Sequence, residues 1–299
     1  MLPTLAGEPL FAPTSDRFVL FPIRYIDIWD KYKSIESSFW TAESFPPEID
    51  ATSAATSTHL EYVGRLLELL TMFDSSALFR ELSSVVQSAE ARAFLGFATM
   101  LINIHSEFLG NHLEILGTGA TSGGEIYIAP GSLDQWMDKW NGNIGEWMVA
   151  LASAELIFGS TLFVALIEGC EIEELRNGLK NVYRDRCAFA GFFITLCRHL
   201  ANPPSPATIQ RIITSAVGTE LDSIKDLMSL FDIFIDSASL PSLVQFIGDQ
   251  FANEFNVDKP FGACNPFDKF VVSISGGITA AKVTRPLVEG NEFDSSVEF

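Results

Sequence analysis

The sequence predicts an all-α chain. Three observations carry that prediction: apolar residues recur at spacings of three and four along most of its length, period-two alternation is scarce, and the interruptions are rich in Gly, Pro, Ser and Thr. From the N-terminus, the pattern predicts helices over approximately 59–73 and 76–88, a long one around 90–109, and others over 132–140, 144–169, 171–200, 207–235 and 238–256. In the long helix Phe94, Phe97, Leu101, Ile104 and Phe108 form one apolar stripe, and Ala98, Ile102, His105 and Leu109 form a second beside it. So wide an arc packs on more than one neighbour, which turns His105 into the protein. The segments 45–58, 117–132 and 201–208 read as connections. No repeat and no long polar linker divides the chain, so residues 1–274 are expected to form one domain. From Ser275 the pattern is lost and an acidic tail runs to Phe299.

Met148 to Ile167 is a run of twenty residues with Glu155 as its only charge, long enough to span a bilayer. Its flanks carry Glu146 on one side and Glu168, Glu171, Glu173 and Glu174 on the other, where a membrane helix usually carries Lys and Arg. A helix apolar all round is equally the central member of a bundle, and that role, with no membrane, is the expectation.

Composition bounds the function. At 299 residues with 47% hydrophobic content the chain can build a substantial core. Nineteen Lys and Arg against 38 Asp and Glu give a formal charge of −19, which repels phosphate backbones, so no nucleic-acid partner is expected. Four cysteines without a CxxC pair suggest neither a disulfide framework nor a zinc knuckle. The N-terminus has no basic stretch followed by an apolar run, and a cytoplasmic location is expected.

Four blocks point to a family. "RFVLFPIRYIDIWDKYKSIESSFWTAE" (17–43), "EARAFLGFATMLINIHSE" (90–107), "RDRCAFAGFF" (184–193) and "NPFDKF" (265–270) closely resemble, in order and separation, the small, radical-generating subunit of class I ribonucleotide reductase. The resemblance implies a ferritin-like helical bundle. In that class two iron or manganese ions are held by carboxylates and two Glu-x-x-His motifs, whose i, i+3 spacing puts both ligands on one helix face. The dimetal centre oxidises a nearby tyrosine, and the resulting radical starts nucleotide reduction in the large subunit.

Carried over residue by residue, the resemblance implies a centre that has lost most of its donors. The first carboxylate position falls on Pro46. The first Glu-x-x-His falls on "INIH", leaving His105 but putting Ile102 in place of the glutamate. Glu155 matches the lone carboxylate of the apolar helix. The second Glu-x-x-His falls on "RCAF", where Arg186 and Phe189 replace glutamate and histidine, and the radical tyrosine position, four residues after His105, is Leu109. Iron and manganese sites need carboxylates to offset the metal charge, which a guanidinium opposes, so no metal and no cofactor are expected for this chain. An unpaired Glu155 on so apolar a helix would be costly, and Arg186 is its expected counter-ion. His105 then reads as a buried imidazole satisfied by neighbours.

The resemblance also matches Trp29 and Asp185 to the hydrogen-bonded line that runs from the ligand histidine toward the large subunit, and "NEFDSSVEF", ending in Glu298 and Phe299, to the acidic, Phe-terminated tails that dock there. The expected function is that of a non-catalytic accessory small subunit of ribonucleoside-diphosphate reductase, supporting deoxyribonucleotide synthesis. It would pair with a competent small subunit, as a degenerate fungal small subunit with the same "RDR" replacement does, or with itself, and contact the large subunit through its tail. The alternative is a metalloenzyme of altered chemistry, with His105, Glu155 and Asp185 around a single metal.

Overall fold

The computed structural model describes residues 3–47, 57–116, 132–267, 270 and 274. The tail with Glu298 and Phe299 lies outside the described residues.

Eleven α-helices are described, with short 3₁₀ turns between some of them and no strand among the described residues. They are α1 (Ile26–Ser37), α2 (Ser57–Thr71), α3 (Ser76–Val85), α4 (Ala89–Leu116), α5 (Ser132–Asp138), α6 (Ile144–Ile157), α7 (Ser160–Gly169), α8 (Glu173–Arg198), α9 (Pro206–Ser223), α10 (Met228–Phe231) and α11 (Leu240–Glu254). α6 is the central helix, packed against α8, α9 and α11, while α8 also meets α7, α1 and α4, and α4 meets α1, α2 and α3. The reason lies in composition, because α6 buries every residue from Ile144 to Ile157 except Glu146. A helix without a polar face is stable only when surrounded. Among the described residues two stretches are long and apolar enough to cross a bilayer, Ala89–Leu116 and Ile144–Gly169, and the most apolar part of the second is buried throughout, as a core helix requires. The first keeps Asn103, Glu107 and Glu114 exposed on its outer side.

Two helix starts follow their sequence signals. Asn143 caps α6, its side chain accepting from the Glu146 N–H at 2.9 Å, and Ser205 caps α9 ahead of Pro206 by accepting from the Thr208 N–H at 3.2 Å. α4 and α8 approach closely because Gly178 has no side chain: a Cβ there would stand 2.2 Å from the Phe108 ring.

Three expectations need correction. The single helix expected over 144–169 is two, broken at Phe158 and Gly159, where Gly159 adopts φ 75°, a backbone that favours glycine. The helix expected over 207–235 ends at Ser223 and continues only as short turns to Phe231. α1 was not among the expected helices, since it fully buries only Ile28 and Ile35 and so carries a weak period.

Three of the four cysteines, Cys170, Cys187 and Cys197, are buried and Cys264 is exposed. Burial pushes the Cys170 thiol up to about 11 and that of Cys197 to about 12. At pH 8 only about a thousandth of Cys170 is thiolate, the reactive form. Ellman's reagent should therefore find one fast thiol per native chain and four after unfolding; three or four fast thiols in the native protein would contradict this burial.

Candidate functional site: an ion-paired cavity between α4, α6 and α8

At the break between α6 and α7 the last carbonyls of α6 and the first N–H groups of α7 lie at helix ends, although Ala154 still accepts from the Phe158 N–H at 3.1 Å. Two buried charges from other helices attend to them. Arg186 of α8 donates from Nη2 to the carbonyls of Ala154 at 3.1 Å and Phe158 at 2.9 Å, a cation at a helix C-terminus. Glu220 of α9 accepts from the N–H groups of Gly159 at 2.9 Å and Thr161 at 3.3 Å and from the Thr161 hydroxyl at 2.6 Å, an anion at a helix N-terminus. Sequence reading missed Glu220. Its signal was an acidic residue in register with Ile209, Ile212, Ile213, Ala216 and Val217, the residues that α9 buries with it.

The same guanidinium closes the ion pair expected from the sequence. Arg186 Nε stands 3.3 Å from Glu155 Oε2, with Glu155 1% and Arg186 5% exposed. The guanidinium also lies over the rings of Phe73 at 4.1 Å and Phe163 at 5.5 Å. Burial pushes the Glu155 carboxyl above the usual carboxylate range, while Arg186 and Ser75 pull it back. Glu155 Oε1 is buried and has no hydrogen-bond partner.

Beside this pair, Asp185 of α8 holds a second buried network. Its Oδ2 accepts from Trp40 Nε1–H at 2.8 Å and meets His105 Nε2 at 3.0 Å, and its Oδ1 accepts from Arg184 Nη2 at 3.0 Å and Nε at 3.3 Å. Trp40 and Arg184 are donors only, so this carboxylate acts as acceptor and the matching histidine tautomer carries its proton on Nε2. His105 Nδ1 is then the acceptor nitrogen of the ring. The Trp40 ring stacks on the imidazole at 5.9 Å and 20°.

The two networks share one cavity of about 240 Å³, lined by Ile102, His105, Leu109, Glu155, Arg186 and Phe189 among others. It reaches the surface between Thr71, Asp74, Ser106 and Gly110, which line it and are exposed.

The structure corrects two assignments. Trp29 does not join the Asp185 network: it is half-buried, packs against Phe21 and Tyr32, and has the Lys33 ammonium over its ring. The tryptophan bonded to Asp185 is Trp40, eleven residues on, in the non-helical stretch between α1 and the 3₁₀ turn Ala42–Ser44. Pro46 is exposed and does not line the cavity. The acidic residue on that wall is Asp74, in the α2–α3 turn. Its carboxylate is taken up by α3, accepting from the Ser76 N–H at 2.7 Å and the Ser76 hydroxyl at 3.0 Å.

The chain matches the profile of the family described as "Ribonucleotide reductase, small chain" over residues 17–266. It belongs to that family. Among curated relatives, it is 29% identical to the ribonucleoside-diphosphate reductase small chain of Vaccinia virus (strain Western Reserve), over 90% of this chain and 89% of the relative. It is also 29% identical to small chain 2 of Saccharomyces cerevisiae, over 93% and 84% respectively. Among solved structures it superposes on the Rnr4 homodimer of S. cerevisiae with a TM-score of 0.79 and 28% identity, covering 91% of this chain and 92% of that one. The bundle is thus the ferritin-like fold of the ribonucleotide reductase small subunit.

Within that family the cavity's donor set does not suit a dimetal carboxylate centre. Ile102 and Phe189 offer no donor atom, Arg186 places a cation there, and Asp74 is committed to capping α3. Among the described residues, no three His, Cys, Asp or Glu side chains converge to hold a metal ion. What the site can do chemically is hold charge: Glu155, on a cavity open to the surface, and Asp185, bonded to His105 of its wall, each have an arginine partner.

Proposed function

We propose that this chain is a non-catalytic accessory small subunit of ribonucleoside-diphosphate reductase, which supports deoxyribonucleotide synthesis by protein contacts. The observation that carries the reading is the Arg186–Glu155 pair: the guanidinium supplies, without a metal, the positive charge that a buried carboxylate needs. Leu109, in place of a phenol on the cavity wall, offers no side chain to carry a radical. The Trp40–Asp185–His105 line then serves to satisfy its own buried polar groups.

The partner in this reading is a competent small subunit, or a second copy of this chain, and the complex is cytoplasmic. The likeness to Rnr4, which was solved as a homodimer, supports pairing. The tail with Glu298 and Phe299 contacts the large subunit.

Two measurements test the proposal. After aerobic reconstitution with iron or manganese, the purified chain should hold far less than stoichiometric metal and give no tyrosyl radical signal; about two metals per chain would overturn the reading. Affinity purification of the tagged full chain should bring down competent reductase subunits, and their absence would leave the accessory role without support. A single-metal enzyme is the second reading, favoured by one observation, the unpartnered Glu155 Oε1 on a cavity that His105 also lines. Spectroscopy with added iron, manganese and cobalt separates the two.

A further inference from the structure

A buried polar atom without a partner costs free energy, so its presence asks what satisfies it. Glu155 Oε1 is such an atom, on a carboxylate 1% exposed at the floor of an open cavity. His105 Nδ1 is a second acceptor on the same cavity, since Nε2 is engaged by Asp185. Phe73, Ile102 and Leu109 give the wall an apolar side, while Asp74, Ser75 and Ser106 line it as well. The guanidinium of Arg186 already spends Nε on the other oxygen of Glu155 and Nη2 on the backbone.

A buried unpartnered carboxylate oxygen and an imidazole acceptor beside an apolar wall call for a ligand that brings N–H donors and an apolar body. The volume, about 240 Å³, exceeds that of an engineered apolar cavity of about 150 Å³ in another protein that binds benzene. Charge decides between kinds of donor. A divalent metal would find only two free donors and would be repelled by Arg186 twice as strongly as a monovalent cation at the same distance. An ammonium group carries one charge and three N–H donors, matching both acceptors. The chain's formal charge of −19 raises the local concentration of any small cation.

We infer that this cavity is a binding site for a small organic ammonium, its head on Glu155 Oε1 and His105 Nδ1 and its apolar body against Phe73, Ile102 and Leu109. The site gives the chain a small-molecule response that the accessory reading does not include. It does not depend on which subunits the chain pairs with.

Calorimetric titration of the full, metal-free chain at neutral pH with benzylamine, benzyl alcohol and benzoate tests this. Benzylamine should saturate one site per chain at least about tenfold more tightly than benzyl alcohol, and benzoate should not bind. Glu155→Gln should weaken benzylamine by about tenfold or more, and Leu109→Trp, which fills the cavity, should abolish binding in a chain whose melting shows it folded. No saturable benzylamine binding, equal affinity for the alcohol, or undiminished binding in Leu109→Trp would overturn the inference. So would tight uptake of zinc or manganese that excludes benzylamine. Because metal content and subunit capture are read separately, failure of this inference and failure of the accessory role are distinguishable.

Discussion

Arg186→Ala should lower the free energy of unfolding by about 3–5 kcal/mol, because it leaves the Glu155 charge buried without its partner and the Phe158 carbonyl without its donor. In a chain of this size that is a fall in melting temperature of roughly 6–20 °C. The loss should depend on pH, and its sign follows from Glu155. Burial already raises that carboxyl above its ordinary value of 4.5, and removing the guanidinium raises it further. A carboxyl with a raised folded-state pKa contributes stability that is fully present below the unfolded value and is lost as pH rises through the folded one. The variant should therefore fall further behind the wild type as pH rises above 4.5 toward neutrality, and recover ground on acidification. Joint replacement, Glu155→Leu with Arg186→Leu, should restore part of the loss, because it removes both charges together. Recovery should stay incomplete, since the Phe158 carbonyl still lacks Arg186. Thermal and urea unfolding across pH measure all three; a deficit under about 1 kcal/mol that ignores pH would show that the pair contributes little.

Asp185→Ala should cost about 2–4 kcal/mol, since it leaves the indole N–H of Trp40 and the imidazole N–H of His105 without an acceptor inside the bundle. Asp185→Asn should fall between the wild type and alanine, because the amide keeps one acceptor oxygen and turns donors toward donors. Trp29→Phe gives the contrast. Its ring is half-buried and lies outside the network, so the change should stay within about 1 kcal/mol, whereas Trp40→Phe removes one of the Asp185 bonds and should cost more. The Trp40 indole N–H resonance should shift on Asp185 substitution and hold in Trp29→Phe. Equal losses for the two tryptophan variants would place the network elsewhere.

The long helices were legible because burial in a helix is written locally. The apolar stripes of α4 and the unbroken apolar run of α6 and α7 each state which side faces protein. The same run hid the break at Phe158 and Gly159, for when every position is apolar the period carries no phase, and only the lone glycine marked the place. Counting along the chain from a motif misplaced two residues. Pro46 and Trp29 lie outside the cavity, while Asp74 and Trp40 approach it, because short non-helical segments before and after α2 decide which side chain arrives. Glu220 was missed for a related reason: its partners, Gly159 and Thr161, are about sixty residues away in sequence.

From the sequence alone it follows that a lone glutamate inside an apolar helix needs a positive partner, and Arg186, standing in a block that resembles the family's metal-ligand helix, is the one it names. That much is a matter of charge and local hydrophobicity, which one chain of letters records. Only the tertiary structure decided that Arg186 serves two ends at once, neutralising Glu155 and capping α6, while Glu220 caps α7, and that Glu155 Oε1 is left unpartnered on an open cavity. Those outcomes depend on distances between helices remote in sequence, and electrostatics and hydrogen bonding vary too steeply with distance for spacing along the chain to supply them.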